Sequence, residues 1–88
     1  MPRARTEPAS GLLKAFGRVL KAARQEVGLS QEKLAHSSDL DPTYVSQLER
    51  GLKWPSLRAI AALAANLGMP AWELVRRAER GSTTDDST

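Results

Sequence analysis

The segment from Gln31 to Arg50 reads QEKLAHSSDLDPTYVSQLER, and its pattern predicts two short helices joined by a tight turn. In the first half, Ser30 is predicted to cap a helix of about two turns, with Leu34 and Ala35 on one side of the helix and polar residues on the other. Asp41 and Pro42 then predict a second helix, capped by the carboxylate and begun by a proline. The rest of the chain is expected to support this unit.

The outer face of the second helix has an unusual composition. Val45 and Leu48 are expected to face inward. The residues left facing outward are Thr43, Tyr44, Ser46, Gln47 and Arg50. Lysine and glutamate would serve solubility equally well, whereas hydroxyl, amide, phenol and guanidinium groups can bond to base edges and phosphates. This face therefore favours nucleic-acid recognition.

Composition excludes several classes of protein. With 88 residues the chain has room for one small domain. It has no cysteine, and a lone His36 cannot form a metal site, so we expect no metal and no cofactor. The longest apolar run, Ala59 to Ala65, is far shorter than the roughly 20 residues of a membrane span, and the N-terminus has no signal-like apolar core. These features predict a cytoplasmic protein without a membrane partner.

Positive charge is concentrated in the part of the chain predicted to fold. The formal net charge is +3 and the isoelectric point is near 9.8. Between Lys14 and Arg58 there are eight lysines or arginines and five acidic residues. This balance suits a polyanionic partner such as DNA.

The flanking segments complete an all-α prediction. Residues 1–9 are expected to be a disordered arm, whose two arginines either reach into a DNA groove or simply stay in solvent. Residues 10–27 form an amphipathic helix, with Ser10 as a candidate cap. Ser56 caps a helix over 57–66.

The C-terminal part predicts one further helix. It begins at Pro70 and ends at about Glu79, and residues 81–88 form a disordered tail. No useful period-two pattern appears, so the prediction is a compact five-helix domain over residues 10–80 with no sheet. Trp54, in the loop before the fourth helix, lies either beside DNA or simply on the surface.

Three stretches, in this order and spacing, resemble one family. They are GLSQEKLA at 28–35, YVSQLERG at 44–51 and PSLRAIAALAANLG at 55–68. The sequence resembles the Xre-type helix-turn-helix regulators, the family of phage repressors and Cro proteins. The stretch SDLDPTYVSQLERG at 38–51 is especially similar to controller proteins of restriction-modification systems. The resemblance implies a lambda-repressor-like fold and sequence-specific binding of double-stranded DNA to regulate transcription.

The resemblance also implies roles for individual residues. The residues expected to contact bases are Pro42, Thr43, Ser46 and Gln47. The residues expected to contact phosphates are Gln31, Tyr44, Arg50, Lys53 and Arg24. Gln47 is the main specificity candidate, because a carboxamide can bond an adenine edge twice, although it could be an ordinary solvated residue. Arg24 and Glu49 match a partly buried ion pair of the family, the alternative being two surface charges. Asp39 stands where the family often has a glycine with positive φ, a conformation that aspartate tolerates.

The last helix and the competing functions leave alternatives open. Trp72, with Leu74 and Val75, is predicted to form a two-fold dimer contact, which implies a palindromic operator, but a core role for Trp72 is equally open. An enzyme is not expected, because residues 36–39 crowd His, Ser and Asp at one helix end and no nucleophile elbow is present. The alternative function is a protein-interaction module such as an antitoxin or adaptor.

Overall fold

The computed structural model describes residues 6–86 of the chain, with side chains described for residues 11–82. It contains five helices, α1 Thr6–Glu26, α2 Gln31–Ser37, α3 Pro42–Glu49, α4 Leu57–Asn66 and α5 Ala71–Asp86. No strand occurs in this range, so the predicted all-α class with five helices is confirmed. None of these helices is both long and apolar enough to cross a membrane.

Side-chain caps begin the three helices in the middle of the chain. Ser30, Asp41 and Ser56 each accept a hydrogen bond from a backbone N–H in the first turn of the helix that follows, at 3.0, 2.7 and 3.0 Å. A cap of this kind satisfies a donor that has no partner inside the helix, and it stabilises a helix start by about 1 kcal/mol. All three caps were predicted from the sequence, and the structure confirms them.

The turn between α2 and α3 depends on Asp39. Its φ of 58° is in the left-handed region. Among the residues that the structure describes, Asp39 is the only non-glycine residue with a positive φ. The N–H of Leu40 bonds to the carbonyl of Ala35 at 2.8 Å and closes the turn. Aspartate therefore adopts the conformation for which glycine is the usual choice, as the sequence analysis expected.

The core takes side chains from every helix. Its fully buried large residues are Leu20 of α1, Leu34 of α2, Val45 and Leu48 of α3, Leu63 of α4 and Leu74 of α5. The prediction that Leu74 contributes to a dimer contact is therefore wrong. Leu74 and Ala78 are one helical turn apart, and both belong to the buried cluster inside the monomer.

The helices α1 and α5 are longer than predicted. α1 begins at Thr6 and not after Ser10, so the predicted arm 1–9 is wrong for residues 6–9. Pro8 is tolerated there because a proline in the first helical turn lacks an N–H that would have no helical partner. Residues 1–5 of the predicted arm, with both of its arginines, lie outside the described residues.

At the other end, α5 continues past Glu79 to Asp86. The predicted boundary at residue 80 and the disordered tail 81–88 are wrong up to residue 86, and residues 87 and 88 lie outside the described range. A Cβ built on Gly81 would lie 3.6 Å from the Cβ of Ala15, and Ser82 is buried. The extra length of α5 thus packs on α1, which is a tertiary contact that local sequence does not reveal.

Gly17 sets the distance between α1 and α3. A Cβ at this position would lie 2.5 Å from the carbonyl oxygen of Glu49 and 2.6 Å from that of Leu48. Carbon and oxygen cannot approach so closely, and both oxygens belong to backbone that cannot rotate away. The backbone of α1 therefore lies directly against the C-terminal end of α3, and only glycine permits that approach.

Candidate nucleic-acid interface

The helix α3 is divided lengthwise into a buried and an accessible side. Val45, Leu48 and Glu49 are buried, and they hold the helix to the rest of the domain. The accessible side carries Thr43, Ser46, Gln47 and Arg50, which recur at helical spacing and form a single stripe, here called the α3 stripe. Thr43 and Arg50 are exposed, whereas Ser46 and Gln47 are half-buried.

Pro42 begins α3 beside the α3 stripe and is exposed. The structure thus brings together all four residues predicted to read bases. Because the proline side chain has no donor or acceptor, it can offer only shape and apolar contact to a base. Any hydrogen-bonded discrimination must therefore come from Thr43, Ser46 and Gln47.

Arg24 and Glu49 form a buried ion pair between α1 and α3. The Nε of Arg24 donates to Oε2 of Glu49 at 2.6 Å, and its Nη2 donates to Oε1 at 3.1 Å. The Glu49 side chain is only 2% exposed, which rules out two independent surface charges. The hydrogen bonding that the Arg24 guanidinium donates to the Glu49 carboxylate raises the pKa of Arg24 above its already high ordinary value. The two parallel hydrogen bonds give the pair the strong bidentate geometry.

Arg24 also fixes the connection between α1 and α2. Its Nη1 donates to the carbonyl oxygen of Leu29 at 2.8 Å. The residue is buried, and one guanidinium thereby joins α1, α3 and the loop that leads into α2. This is a structural role, and the phosphate contact also predicted for Arg24 stays a prediction.

Gln31 is the first residue of α2 and takes part in the same network. Its Nε2 donates to Oε1 of Glu49 at 2.8 Å. Gln31 is predicted from the sequence to contact phosphate, and no local pattern indicates its bond to Glu49. The amide nitrogen carries two hydrogens, so one can bond to Glu49 while the other can be donated to a second acceptor such as phosphate.

Tyr44 attaches the loop before α4 to α3. Its hydroxyl oxygen accepts a hydrogen bond from the backbone N–H of Ser56 at 3.2 Å, and its half-buried ring packs against the core. The hydroxyl hydrogen can still be donated to an acceptor such as phosphate. Arg50 and Lys53, the remaining residues predicted to contact phosphate, are both exposed.

A second accessible surface is formed by residues of α4 and α5. It is lined by Leu57, Ile60, Ala71, Trp72 and Val75, with Arg76 and Glu79 beside them, and is here called the α4–α5 patch. Trp72 is 65% exposed, so the core role considered for it is excluded. Val75 is half-buried, and it remains with Trp72 as a predicted dimer residue.

The described residues hold no cluster of three or more histidine, cysteine, aspartate or glutamate side chains that could bind a metal ion. The chemistry of the accessible surface is that of hydrogen bonding and positive charge. Its elements are the α3 stripe, the N-terminus of α2 and the loop after α3.

Comparison with known proteins identifies the family. The family model described as Helix-turn-helix matches residues 20–71, which is more than half of the chain. The chain is 41% identical over 66 residues to the control protein C.MunI of a Mycoplasma species, covering 74% of this chain and 89% of that protein. The chain therefore belongs to the helix-turn-helix family.

Two solved structures show the same architecture. The clp gene regulator ClgR from Corynebacterium glutamicum superposes with a TM-score of 0.81 at 29% identity, covering 86% of this chain and 81% of that one. C.Esp1396I, solved bound to a 25 base pair operator site, superposes with a TM-score of 0.66 at 30% identity, covering 76% and 92%. Together the family and these relatives support a DNA-binding transcriptional regulator, and the family is regulatory rather than enzymatic.

Proposed function

We propose that this protein binds double-stranded DNA in a sequence-specific manner, with α3 in the major groove and α2 crossing the backbone. The observation that carries the proposal is the lengthwise division of α3. Its buried side fixes the helix to the core, while the α3 stripe stays accessible and carries hydrogen-bonding groups in place of the usual lysine and glutamate. A similar chain, C.Esp1396I, has been solved bound to an operator site, which supports DNA binding by this fold.

Within this arrangement we assign base contacts to Gln47, Thr43 and Ser46, and shape recognition to Pro42. Gln47 is expected to discriminate most, because two hydrogen bonds to one adenine edge are worth about 1 to 3 kcal/mol. We assign the phosphate contacts to Gln31, Tyr44, Arg50 and Lys53, and a further phosphate contact to Arg24. These contacts fix the position of the protein on the duplex and carry no sequence information.

We further propose that two copies of the chain associate through the α4–α5 patch around a two-fold axis. Trp72 is the largest apolar side chain that lines this patch, and Leu57 and Val75 add further apolar surface. A two-fold contact uses the same patch on both subunits. The two copies of α3 would then meet half-sites about one helical turn apart, and the operator would be palindromic.

The target genes we propose are those of a restriction-modification system. The support is the similarity to C.Esp1396I, a restriction-modification controller protein, together with the match to the control protein C.MunI over 89% of that protein. The role involves no catalytic step and places the protein in the cytoplasm with its operator. An operator that lies beside restriction and modification genes would support this assignment, whereas one beside clp genes would favour the role of ClgR.

Selection of bound sites from a pool of random duplexes tests the proposal. The expected result is one enriched sequence with two symmetric half-sites, and an affinity that falls steeply with salt because phosphates are neutralised. A pool that shows no enrichment, together with affinity that does not respond to salt, would overturn DNA reading. That outcome would favour the protein-interaction module.

A further inference from the structure

The loop between α3 and α4 displays a large aromatic side chain. Trp54 is 54% exposed, and Leu52, two residues earlier, is exposed as well. Neither residue has a role in the function proposed so far. An indole combines a broad apolar ring with one N–H donor, and tryptophan is for that reason enriched at binding surfaces that are partly apolar and partly polar.

The exposure of Trp54 does not come from a loosely held loop. On one side, the N–H of Leu52 bonds to the carbonyl oxygen of Gln47 at 2.9 Å. On the other side, the N–H of Ser56 bonds to the hydroxyl of Tyr44 at 3.2 Å. Pro55 follows Trp54 directly, and its ring fixes one backbone angle. The loop is therefore attached to α3 at both ends, and Trp54 lies between the two attachments.

The attachment to the Tyr44 side chain also indicates where the loop lies, whereas the bond from Leu52 reaches a backbone carbonyl at the C-terminal end of α3 and does not. Tyr44 and Gln47 are three positions apart on α3, so they share one side of that helix. Gln47 belongs to the α3 stripe, which is proposed to read bases. The loop consequently runs along the edge of the stripe, where the backbone of a duplex would pass if α3 occupied the groove.

The charges around Trp54 suit a polyanion and do not suit an apolar protein partner. Residues 50–58 contain Arg50, Lys53 and Arg58 and no acidic residue. The described ion pair in this segment is the contact of Arg58 with Asp39 at 3.7 Å, and both side chains are largely exposed. An exposed pair of this kind contributes little and leaves the local field positive.

We propose that Trp54 packs against the sugar-phosphate backbone of the bound duplex, with its ring on a deoxyribose and its Nε1–H donating to a phosphate oxygen. The proposal rests on the DNA-binding function proposed above. Such a contact adds affinity for any sequence, because it does not touch a base edge. It also releases no counterion, because the indole is uncharged, so it leaves the salt dependence of binding unchanged.

Fluorescence gives a direct test. The chain has two tryptophans, so the signal of Trp54 is obtained by subtracting the emission of the Trp54→Phe variant from that of the wild type. On saturation with the duplex selected from the random pool, its emission should change and its quenching by acrylamide should fall. Emission and quenching that are the same with and without saturating duplex would overturn the contact. Such an unchanged signal is the result expected if Trp54 faces solvent or a second protomer in place of DNA.

Affinity measurements separate the indole from its charged neighbour. Trp54→Ala should weaken binding to the selected duplex and to random duplex alike, by about tenfold each, with an unchanged salt slope. Lys53→Ala is the matched control from the same loop, and removal of its single phosphate interaction should reduce the slope by about 0.9. Trp54→Phe should recover part of the affinity, since it keeps an aromatic ring but lacks the N–H.

The outcomes distinguish this inference from the function on which it rests. Wild-type affinity in Trp54→Ala, with the variant shown to be folded by its melting temperature, overturns the contact alone. A wild-type protein that binds no duplex overturns the proposed function, and the contact with it.

Discussion

The carboxamide of Gln31 and the carboxylate of Glu49 are joined by a 2.8 Å hydrogen bond. The oxygen that accepts it, Oε1, also accepts from Nη2 of Arg24. One buried carboxylate thus connects α1, α3 and the first residue of α2. A side chain predicted to touch phosphate is thereby held in place by the ion pair behind it, so the core and the proposed DNA surface share this contact.

Loss of the arginine should destabilise the fold strongly. Arg24→Ala leaves the Glu49 carboxylate buried without its ionic partner, and we expect the free energy of unfolding to fall by about 3 to 5 kcal/mol. For a domain of this size that corresponds to a melting temperature lower by about 10 °C or more. Thermal melting without DNA measures this. Arg58→Ala, at a largely exposed position, is the control and should melt within a few degrees of wild type. Equal melting of the two variants would contradict the structural role.

Gly17→Ala should destabilise the protein although alanine is the better helix former. On propensity alone the change would stabilise α1 by about 0.5 to 1 kcal/mol. Overlap with the α3 backbone at 2.5 Å should outweigh that gain, so α1 and α3 must separate. Chemical denaturation of this variant should show a lower midpoint. The exposed Ala22 on the same helix gives the reciprocal control, because Ala22→Gly should lose only the propensity term. A Gly17→Ala midpoint at or above wild type would show that the close approach does not occur in solution.

Substitution of two neighbouring side chains of the α3 stripe, Gln47 and Arg50, should affect DNA binding in different ways. Gln47→Ala is expected to relax base preference at one position of each half-site, at a cost of about 1 to 3 kcal/mol for the preferred base. Arg50→Ala should instead weaken binding to all sequences by a similar factor, because a phosphate contact is not sequence-specific. Binding to a set of single-base operator variants measures both. An unchanged preference in Gln47→Ala would remove Gln47 from base readout.

Trp72 and Leu74 are two residues apart on α5, but their substitution should affect different properties. Changing Trp72 should affect the oligomeric state, and changing Leu74 should affect the stability of the monomer. Trp72→Ala should shift the protein from dimer to monomer in sedimentation and leave the monomer folded, because Trp72 is exposed. Leu74→Ala should lower stability by about 2 to 5 kcal/mol, since it leaves a cavity in the core. A wild-type protein that sediments as a monomer at micromolar concentration would remove the dimer proposal.

Local sequence signals were sufficient for much of this fold. The caps at Ser30, Asp41 and Ser56 depend on side chains that bond within their own helix turn, so they can be predicted from neighbouring residues. The buried residues Val45 and Leu48 follow from helical spacing in the same way. These features account for the correct helix count and for the placement of the α3 stripe.

Contacts between distant residues were harder to predict. The requirement for glycine at position 17 arises from the carbonyl groups of α3, and a glycine inside a helix gives no sign of what lies opposite. The continuation of α5 is stabilised by α1, and the polar sequence after Glu79 gives no apolar pattern to follow. The ion pair of Arg24 and Glu49 was expected only through family resemblance, because 25 residues separate them.

The close backbone approach at Gly17 has a consequence for how such a regulator acquires a new target. No side chain lies between α1 and α3 at that point, so substitution there cannot adjust the depth or tilt of α3 without disrupting the packing of the two helices. Evolution or a protein engineer is left with the exchangeable residues of the α3 stripe. Retargeting therefore proceeds by altering a few side chains on a rigidly mounted helix, and the stability of the domain is largely insulated from those changes.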